Sequence, residues 1–96
     1  MVVLSIRYRI FETAQFSKDL EGIAKAGKPA LIEKLRGVVY PQLQENPYFG
    51  TNVRKLKNYS PQAWRYRIGA WRFFYEIDES QKIVCMIAAS HRGSAY

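Results

Sequence analysis

The segment from Trp64 to Ile77, WRYRIGAWRFFYEI, constrains the fold more than any other part of the sequence. Two runs rich in aromatic residues flank Gly69 and Ala70, a pattern typical of a β-hairpin. Glycine in the first central position suits a type II′ turn. Because side chains alternate between the faces of a strand, this register places six large apolar side chains on one face, which we predict to be the core face. They are Trp64, Tyr66, Ile68, Trp71, Phe73 and Tyr75.

The opposite face of this predicted hairpin is basic. It carries Arg65, Arg67, Arg72, Phe74 and Glu76, with Arg67 directly opposite Arg72. Like charges opposed across a ladder destabilise a sheet. We therefore expect an anionic partner to bind this face.

The net charge supports the same expectation. The chain carries a formal charge of +7, and residues 49–96 hold eight Lys and Arg against three Asp and Glu. A basic region confined to part of a small domain favours nucleic acid or another polyanion. The alternative is that positive charge only keeps the protein soluble, but the arginines converge on one predicted face.

The first half of the chain predicts one strand and two helices. Residues 6–11 alternate as a strand, and Thr13 can cap a helix with Phe16, Leu20, Ile23 and Ala24 at helical spacing. Gly27 ends that helix and Pro29 opens the next. The second helix carries one apolar stripe, and Pro41 should kink or end it. The stripe comprises Leu31, Ile32, Leu35, Val38 and Val39.

The second half predicts a meander. Residues 44–52 read as a loop and residues 53–61 lead into the hairpin. A turn at residues 78–82 precedes a third strand, IVCMIAAS, which is apolar enough to be covered on both faces. The expected fold is one α+β domain over residues 1–96, in the order β-α-α-β-β-β, with a two-helix hairpin packed on an antiparallel meander sheet.

Cysteine usage and hydropathy indicate in which cellular compartment the protein is found. Cys85 is the single cysteine, so the chain cannot form an internal disulfide, and it reads as a small core residue. Arg7 and Arg9 interrupt what a signal peptide would need as an apolar stretch. The run from Ile83 to Ala89 is too short to span a bilayer. We expect a cytoplasmic protein that does not associate with membranes.

The reactive residue types limit the chemistry. One histidine and one cysteine cannot supply a zinc site, no glycine-rich phosphate loop is present, and we expect no cofactor. Arginine, lysine, tyrosine and histidine can nevertheless cleave a phosphodiester without a metal, because RNA supplies its own 2′-hydroxyl as nucleophile. Phe74 can either stack on a base or contact a protein partner. His91 can either transfer protons or only bond to the backbone at a turn.

The motifs NPYFGTNVRKLKN, WRYRIGAWRFFYEID and HRGSAY, in this element order, resemble the RelE/ParE superfamily of type II toxins. The resemblance covers essentially the whole chain. It implies a RelE-like fold and catalytic roles for basic and tyrosine residues, which fall here on Arg65, Arg67, Arg72, Arg92 and Tyr96. His91 resembles a late histidine that some RelE-like nucleases use as an acid or base. Some relatives have lysine where this chain has Arg65 and Arg67, and arginine does not release its proton, so the general base is not identified.

The resemblance implies two functions. RelE-like toxins are endoribonucleases that cleave mRNA, typically on the ribosome, whereas the ParE branch poisons DNA gyrase. The arginine cluster with His91 and Tyr96 favours a metal-independent mRNA interferase that a cognate antitoxin neutralises. We expect Lys55, Lys57 and Phe74 to contact RNA. A plain nucleic-acid-binding domain would explain the charge but not the arrangement of arginines and aromatics.

Overall fold

The computed structural model describes residues 7–92 of the 96-residue chain. In chain order the elements are β1 (Arg9–Glu12), α1 (Ala14–Lys25), α2 (Pro29–Lys34), a π-helical turn (Leu35–Val39), α3 (Tyr40–Glu45), β2 (Val53–Lys55), β3 (Trp64–Ile68), β4 (Trp71–Asp78) and β5 (Ile83–His91). The predicted α+β class, with helices packed on one sheet, is confirmed.

The sheet contains two features that the sequence did not predict. Its strand order is β1-β5-β4-β3-β2, and β2 to β5 form an antiparallel meander. β1 pairs with β5 in parallel, so the sheet is mixed rather than purely antiparallel. β2 is a three-residue edge strand within residues 53–61, which the sequence predicts as a connection into the hairpin. Ile6, the predicted start of the first strand, lies outside the described residues.

The hairpin has the predicted register. Trp64 pairs with Tyr75, Arg67 with Arg72, and Ile68 with Trp71. The φ angle of Gly69 is +56°, while Ala70 is not among the residues with positive φ. Because a type II′ turn needs positive φ only at its first central residue, this backbone fits the predicted turn.

The helices cover the apolar face of the hairpin. The Thr13 side chain caps α1 by accepting a hydrogen bond from the backbone N–H of Phe16 (3.2 Å). The ring of Phe16 contacts that of Phe73 edge-on, with centroids 6.2 Å apart. Burying such aromatic pairs gives a large share of core stability. The buried core cluster comprises Tyr8, Phe16, Leu20, Ile23, Leu35, Val39, Leu43, Tyr66, Phe73, Tyr75, Val84 and Met86.

The second helical segment differs from the prediction at Pro41. Helical structure runs from α2 through the π-helical turn into α3 and ends at Glu45, so Pro41 does not end the helix, and the irregularity of the helix lies in the π-helical turn directly before it. The N–H of Tyr40 donates to the carbonyl of Leu35, five residues back. This wider turn directly before Pro41 accommodates a residue that has no N–H to donate. Val38, which the predicted apolar stripe included, is 47% exposed and lies outside the core cluster.

β5 is buried on one face only. Val84 and Met86 are fully buried against the helices, whereas Ile83 and Cys85 are half-buried on the other face. The prediction that both faces are covered is therefore wrong, and Cys85 lies outside the core cluster. In the described part of the chain, no helix has the length and apolar character needed to cross a membrane.

Candidate nucleic-acid interface

Four arginines share the sheet face that points away from the helices. Arg65 and Arg67 lie on β3, Arg72 on β4 and Arg54 on β2. The register makes two opposed pairs, Arg54 with Arg65 and Arg67 with Arg72. We call these four residues the arginine face. The predicted Arg67–Arg72 opposition is confirmed, and β2 adds a second pair beside it.

The arginine face follows from the burial of the opposite face. Tyr66, Phe73 and Tyr75 are at most 5% exposed in the core, and alternation along each strand then directs the intervening arginines outward. Two hydroxyl bonds fix the buried tyrosines: Tyr66 Oη donates to Gln42 Oε1 (2.6 Å), and Tyr75 Oη donates to the carbonyl of Pro47 (2.8 Å). The core therefore holds the two strands in the register that opposes the arginines.

The positive charge of this face is not neutralised within residues 7–92. The ion pairs of that region are Arg36–Glu12 and Lys82–Glu79, and neither includes a residue of the arginine face. Partial burial lowers the pKa of Arg65 from its ordinary value, and the nearby charges of Arg54, Arg67 and Arg72 lower it further. The charges of Arg54, Arg67 and Arg72 thus disfavour the charged form of Arg65, and an anion bound among these groups would relieve that repulsion.

Acidic residues of β4 do not offset these charges. Asp78 accepts hydrogen bonds from Ser80 Oγ (2.8 Å) and from the side-chain amide of Gln81 (3.1 Å), and these bonds hold its pKa below the usual range. Glu76 shares the outward face but pairs with Cys85 of β5, on the side of β4 away from β3. The arginine face therefore keeps a net positive charge.

Phe74 does not offer the stacking surface that the sequence suggested. Its position opposite Arg65 is on the predicted face, but its side chain is only 4% exposed. A base needs an accessible ring face to stack upon. In this structure the ring of Phe74 is therefore not open to a base, and the predicted contact of Phe74 with RNA or with a protein partner stays a prediction.

The structure does not bring His91 to the arginine face. His91 pairs with Trp71, a residue of the helix-facing side, and their rings meet edge-on with centroids 5.1 Å apart. Its Nδ1 lies 3.0 Å from the carbonyl oxygen of Arg92. His91 therefore lies apart from the arginine face, and the alternative of a histidine bonded to the backbone agrees with this geometry, while its catalytic role stays a prediction.

The other residues that the sequence predicts for the site lie at separate places in the structure. Arg92 directly follows β5, is exposed, and donates its backbone N–H to the carbonyl of Ala70 at the hairpin turn. Lys55 pairs with Trp64, and its Nζ lies 6.0 Å from that ring's centroid, so it belongs to the helix-facing side. Lys57 is exposed in the β2–β3 loop. Tyr96 lies outside the described residues.

Two residues of this face were not identified from the sequence. Arg54 lies on β2, a strand that the sequence does not predict, because VRK has two consecutive basic residues rather than the alternation of a half-buried strand. Ser90 pairs with Arg72, and its buried Oγ has no hydrogen-bond partner in the described part of the chain. No pattern in the sequence distinguishes Ser90 from other strand serines.

The arginine face is suited to binding phosphate groups. Arginine presents a planar fork of donors that matches phosphate oxygens, and it stabilises negative charge that develops on them. It does not transfer protons. The strand residues described on this face include neither histidine nor lysine, so the guanidinium groups alone do not supply a proton carrier there.

Comparison with protein families identifies the chain. The model described as "ParE toxin of type II toxin-antitoxin system, parDE" matches residues 10–96. The chain belongs to this family. It is a type II toxin of the RelE/ParE superfamily, as the sequence motifs indicated. No curated protein sequence matches it.

Solved structures support the same fold. The toxin of the archaeal RelE–RelB complex from Pyrococcus horikoshii is 25% identical, with 93% of this chain and 99% of that chain covered at a TM-score of 0.66. The toxin–antitoxin complex RelBE2 from Mycobacterium tuberculosis is similar at 22% identity, 91% and 100% coverage and a TM-score of 0.68. A YoeB/ParE toxin from Agrobacterium tumefaciens is similar at 18% identity, 88% and 98% coverage and a TM-score of 0.70.

Proposed function

We propose that this toxin is a metal-independent endoribonuclease that cleaves mRNA on the ribosome. The observation that carries the proposal is the Arg67–Arg72 pair, opposed on an outward sheet face with no acidic partner among residues 7–92. A phosphodiester bound between the two forks would offset their repulsion. Arg65, on the same face of β3, would add a third positive charge to the site.

The proposed reaction uses the 2′-hydroxyl of the RNA. The 2′-oxygen attacks the adjacent phosphorus, the bond from phosphorus to the 5′-oxygen breaks, and the products carry a 2′,3′-cyclic phosphate and a 5′-hydroxyl. One proton leaves the 2′-oxygen and one is delivered to the 5′-oxygen. The arginines stabilise the charge on the phosphoryl oxygens, a contribution worth typically about 10²–10³ in rate per donor.

Tyr96 is the proposed proton carrier. Arginine does not exchange its proton near neutral pH, and His91 lies on the helix-facing side. A phenol has an ordinary pKa near 10, and adjacent guanidinium groups would lower it toward the working range. Arg72 and Arg92 are the arginines proposed to act on Tyr96 in this way.

The partners follow from the same proposal. The structures of the Pyrococcus and Mycobacterium relatives are toxin–antitoxin complexes. We therefore expect a cognate antitoxin to neutralise this toxin in the cytoplasm. The exposed Lys57 would contact mRNA or ribosomal RNA near the arginine face.

The alternative is inhibition of DNA gyrase without chemistry, which the sequence resemblance implies for the ParE branch; the matching family carries the ParE name but does not favour this activity over RNA cleavage. One experiment separates the two. Purified toxin is added to ribosomes programmed with a short labelled mRNA and, in parallel, to a gyrase supercoiling reaction. The proposal predicts mRNA cleavage with supercoiling unaffected. Loss of supercoiling with intact mRNA would overturn the proposal in favour of the alternative.

A further inference from the structure

Arg54 and Arg65 form a second basic pair beside Arg67 and Arg72. Within β3, Arg65 and Arg67 are two residues apart on the same face. Arg54 lies on β2, on one side of β3, and Arg72 lies on β4, on the other side. The centres of the two pairs are therefore also offset by one strand spacing across the sheet. With ~3.3 Å per residue and ~4.8 Å between strands, the pair centres lie about 8 Å apart.

One phosphate cannot use all four arginines. A phosphodiester carries a single negative charge, so four guanidinium groups around it would leave most of their mutual repulsion in place. The described acidic residues do not compensate, because neither ion pair of residues 7–92 involves the arginine face. Two phosphates, one at each pair, balance the charge better. Flexible arginine side chains can adjust the separation of the pairs to one nucleotide step of an extended strand.

We infer that Arg54 and Arg65 bind the phosphate next to the one held by Arg67 and Arg72, so that a single strand crosses the sheet obliquely from β2 to β4. This inference rests on the proposed function and adds Arg54 as a binding residue. Arg65 is the member of the second pair that shares β3 with Arg67 of the first pair, two residues away on the same face. The role of Arg54 is affinity and alignment of the strand rather than chemistry at the cut bond.

The test uses a trinucleotide with two phosphodiester linkages and 2′-O-methyl sugars, which cannot be cleaved because they lack the nucleophile. A matched probe has one linkage replaced by an uncharged methylphosphonate, prepared separately at each position. Titration followed by NMR gives the dissociation constant of each probe. Wild-type protein should bind the doubly charged probe roughly tenfold or more tightly, as expected for charge-assisted hydrogen bonds to one additional phosphate.

Two variants test whether Arg54 itself binds the second phosphate. Arg54→Ala should lose most of the preference for the doubly charged probe, and its salt slope should fall by about 0.7, the value for one single-strand phosphate contact. Arg9→Ala is the matched control, because Arg9 is exposed on the same sheet face at the opposite edge, on β1. Arg9→Ala should behave as wild type.

The outcomes separate the inference from the proposed function. If Arg54→Ala keeps the full preference, or changes it no more than Arg9→Ala does, the inference is overturned while the proposed function stands. The same holds if wild-type protein binds both probes equally. If wild-type protein binds neither probe and cleaves no mRNA on programmed ribosomes, both the inference and the proposed function are overturned.

Discussion

Replacing Arg67 or Arg72 with alanine should abolish cleavage while leaving the fold intact. Each arginine faces the other across the ladder on an outward face, so its removal opens no cavity in the core. Loss of a donor to the transition-state oxyanion should lower the single-turnover rate at saturating toxin by about 10²–10³, or ~3–4 kcal/mol. Arg72→Lys should recover only part of that loss, because lysine keeps the charge without the planar fork.

The same substitutions should raise the stability of the fold although they lower the cleavage rate. Relieving one opposed pair of like charges should raise the free energy of unfolding by about 0.5 kcal/mol, which corresponds to a Tm higher by about 2–4 °C for a domain of this size. The assays are single-turnover cleavage on programmed ribosomes and thermal unfolding, with Arg9→Ala as the control for loss of one arginine. A variant that cleaves like wild type, or one whose Tm falls by several degrees, would refute the reasoning.

Other predictions follow from the same geometry. His91→Gln should cleave at the wild-type rate and keep the wild-type pH profile, and a hundredfold loss would mean that His91 reaches the site after all. Tyr96→Phe should slow single-turnover cleavage by about 10²–10⁴, and an unchanged rate would exclude it as the proton carrier. Contact with three to five phosphates should give a log–log salt slope of roughly −2 to −3.5 for single-stranded RNA, whereas a flat dependence would indicate a protein target. Hydrogen bonds from Lys82, Tyr48 and Tyr8 lower the pKa of Glu79 from 4.5 to about 2. The stabilisation from ionised Glu79 is therefore complete above pH 4.5 and is lost as the pH falls toward 2. Glu79→Gln should remove the pH dependence that Glu79 gives the free energy of unfolding between these pH values, and should leave the rest of the pH profile unchanged.

The hairpin was predictable because local rules determine it. Gly69 permits the turn, the turn sets the register, and period-two alternation then assigns every side chain from Trp64 to Tyr75 to a face. The opposition of Arg67 and Arg72 follows without any knowledge of the rest of the chain. The cap at Thr13 was predictable for the same reason, since its partner is the N–H of Phe16, three residues away.

The features that were missed depend on distant partners. β1 pairs with β5 across more than seventy residues, and nothing in either segment specifies a parallel arrangement. Phe74 has the right alternation for an exposed residue, yet the structure leaves it 4% exposed. Leu35 and Val39 in the π-helical turn before Pro41 are fully buried in the core, and the helix continues beyond a residue that normally ends one.

His91 shows that the alternation of side chains between the two faces of a strand cannot be counted across a β-bulge. The register of β4 against β5 shifts between Phe74 and Tyr75, so the face of each later β5 residue cannot be counted from Val84 or Met86. At His91, one residue before the end of the described chain, this shift decides whether the imidazole lies with the arginines or with Trp71. The structure places it with Trp71, and the imidazole is thereby removed from the proposed site.

The most direct test of the central claim, cleavage of RNA by its own 2′-hydroxyl, is a comparison of two mRNAs on programmed ribosomes. One is unmodified, and the other has a single 2′-deoxynucleotide immediately upstream of the cut bond. Mass spectrometry of the products identifies their ends. The account predicts that the unmodified mRNA yields a 2′,3′-cyclic phosphate and a 5′-hydroxyl, and that the deoxy-substituted bond stays intact. Cleavage of the deoxy-substituted bond at the unmodified rate, or no cleavage of either mRNA, would contradict it.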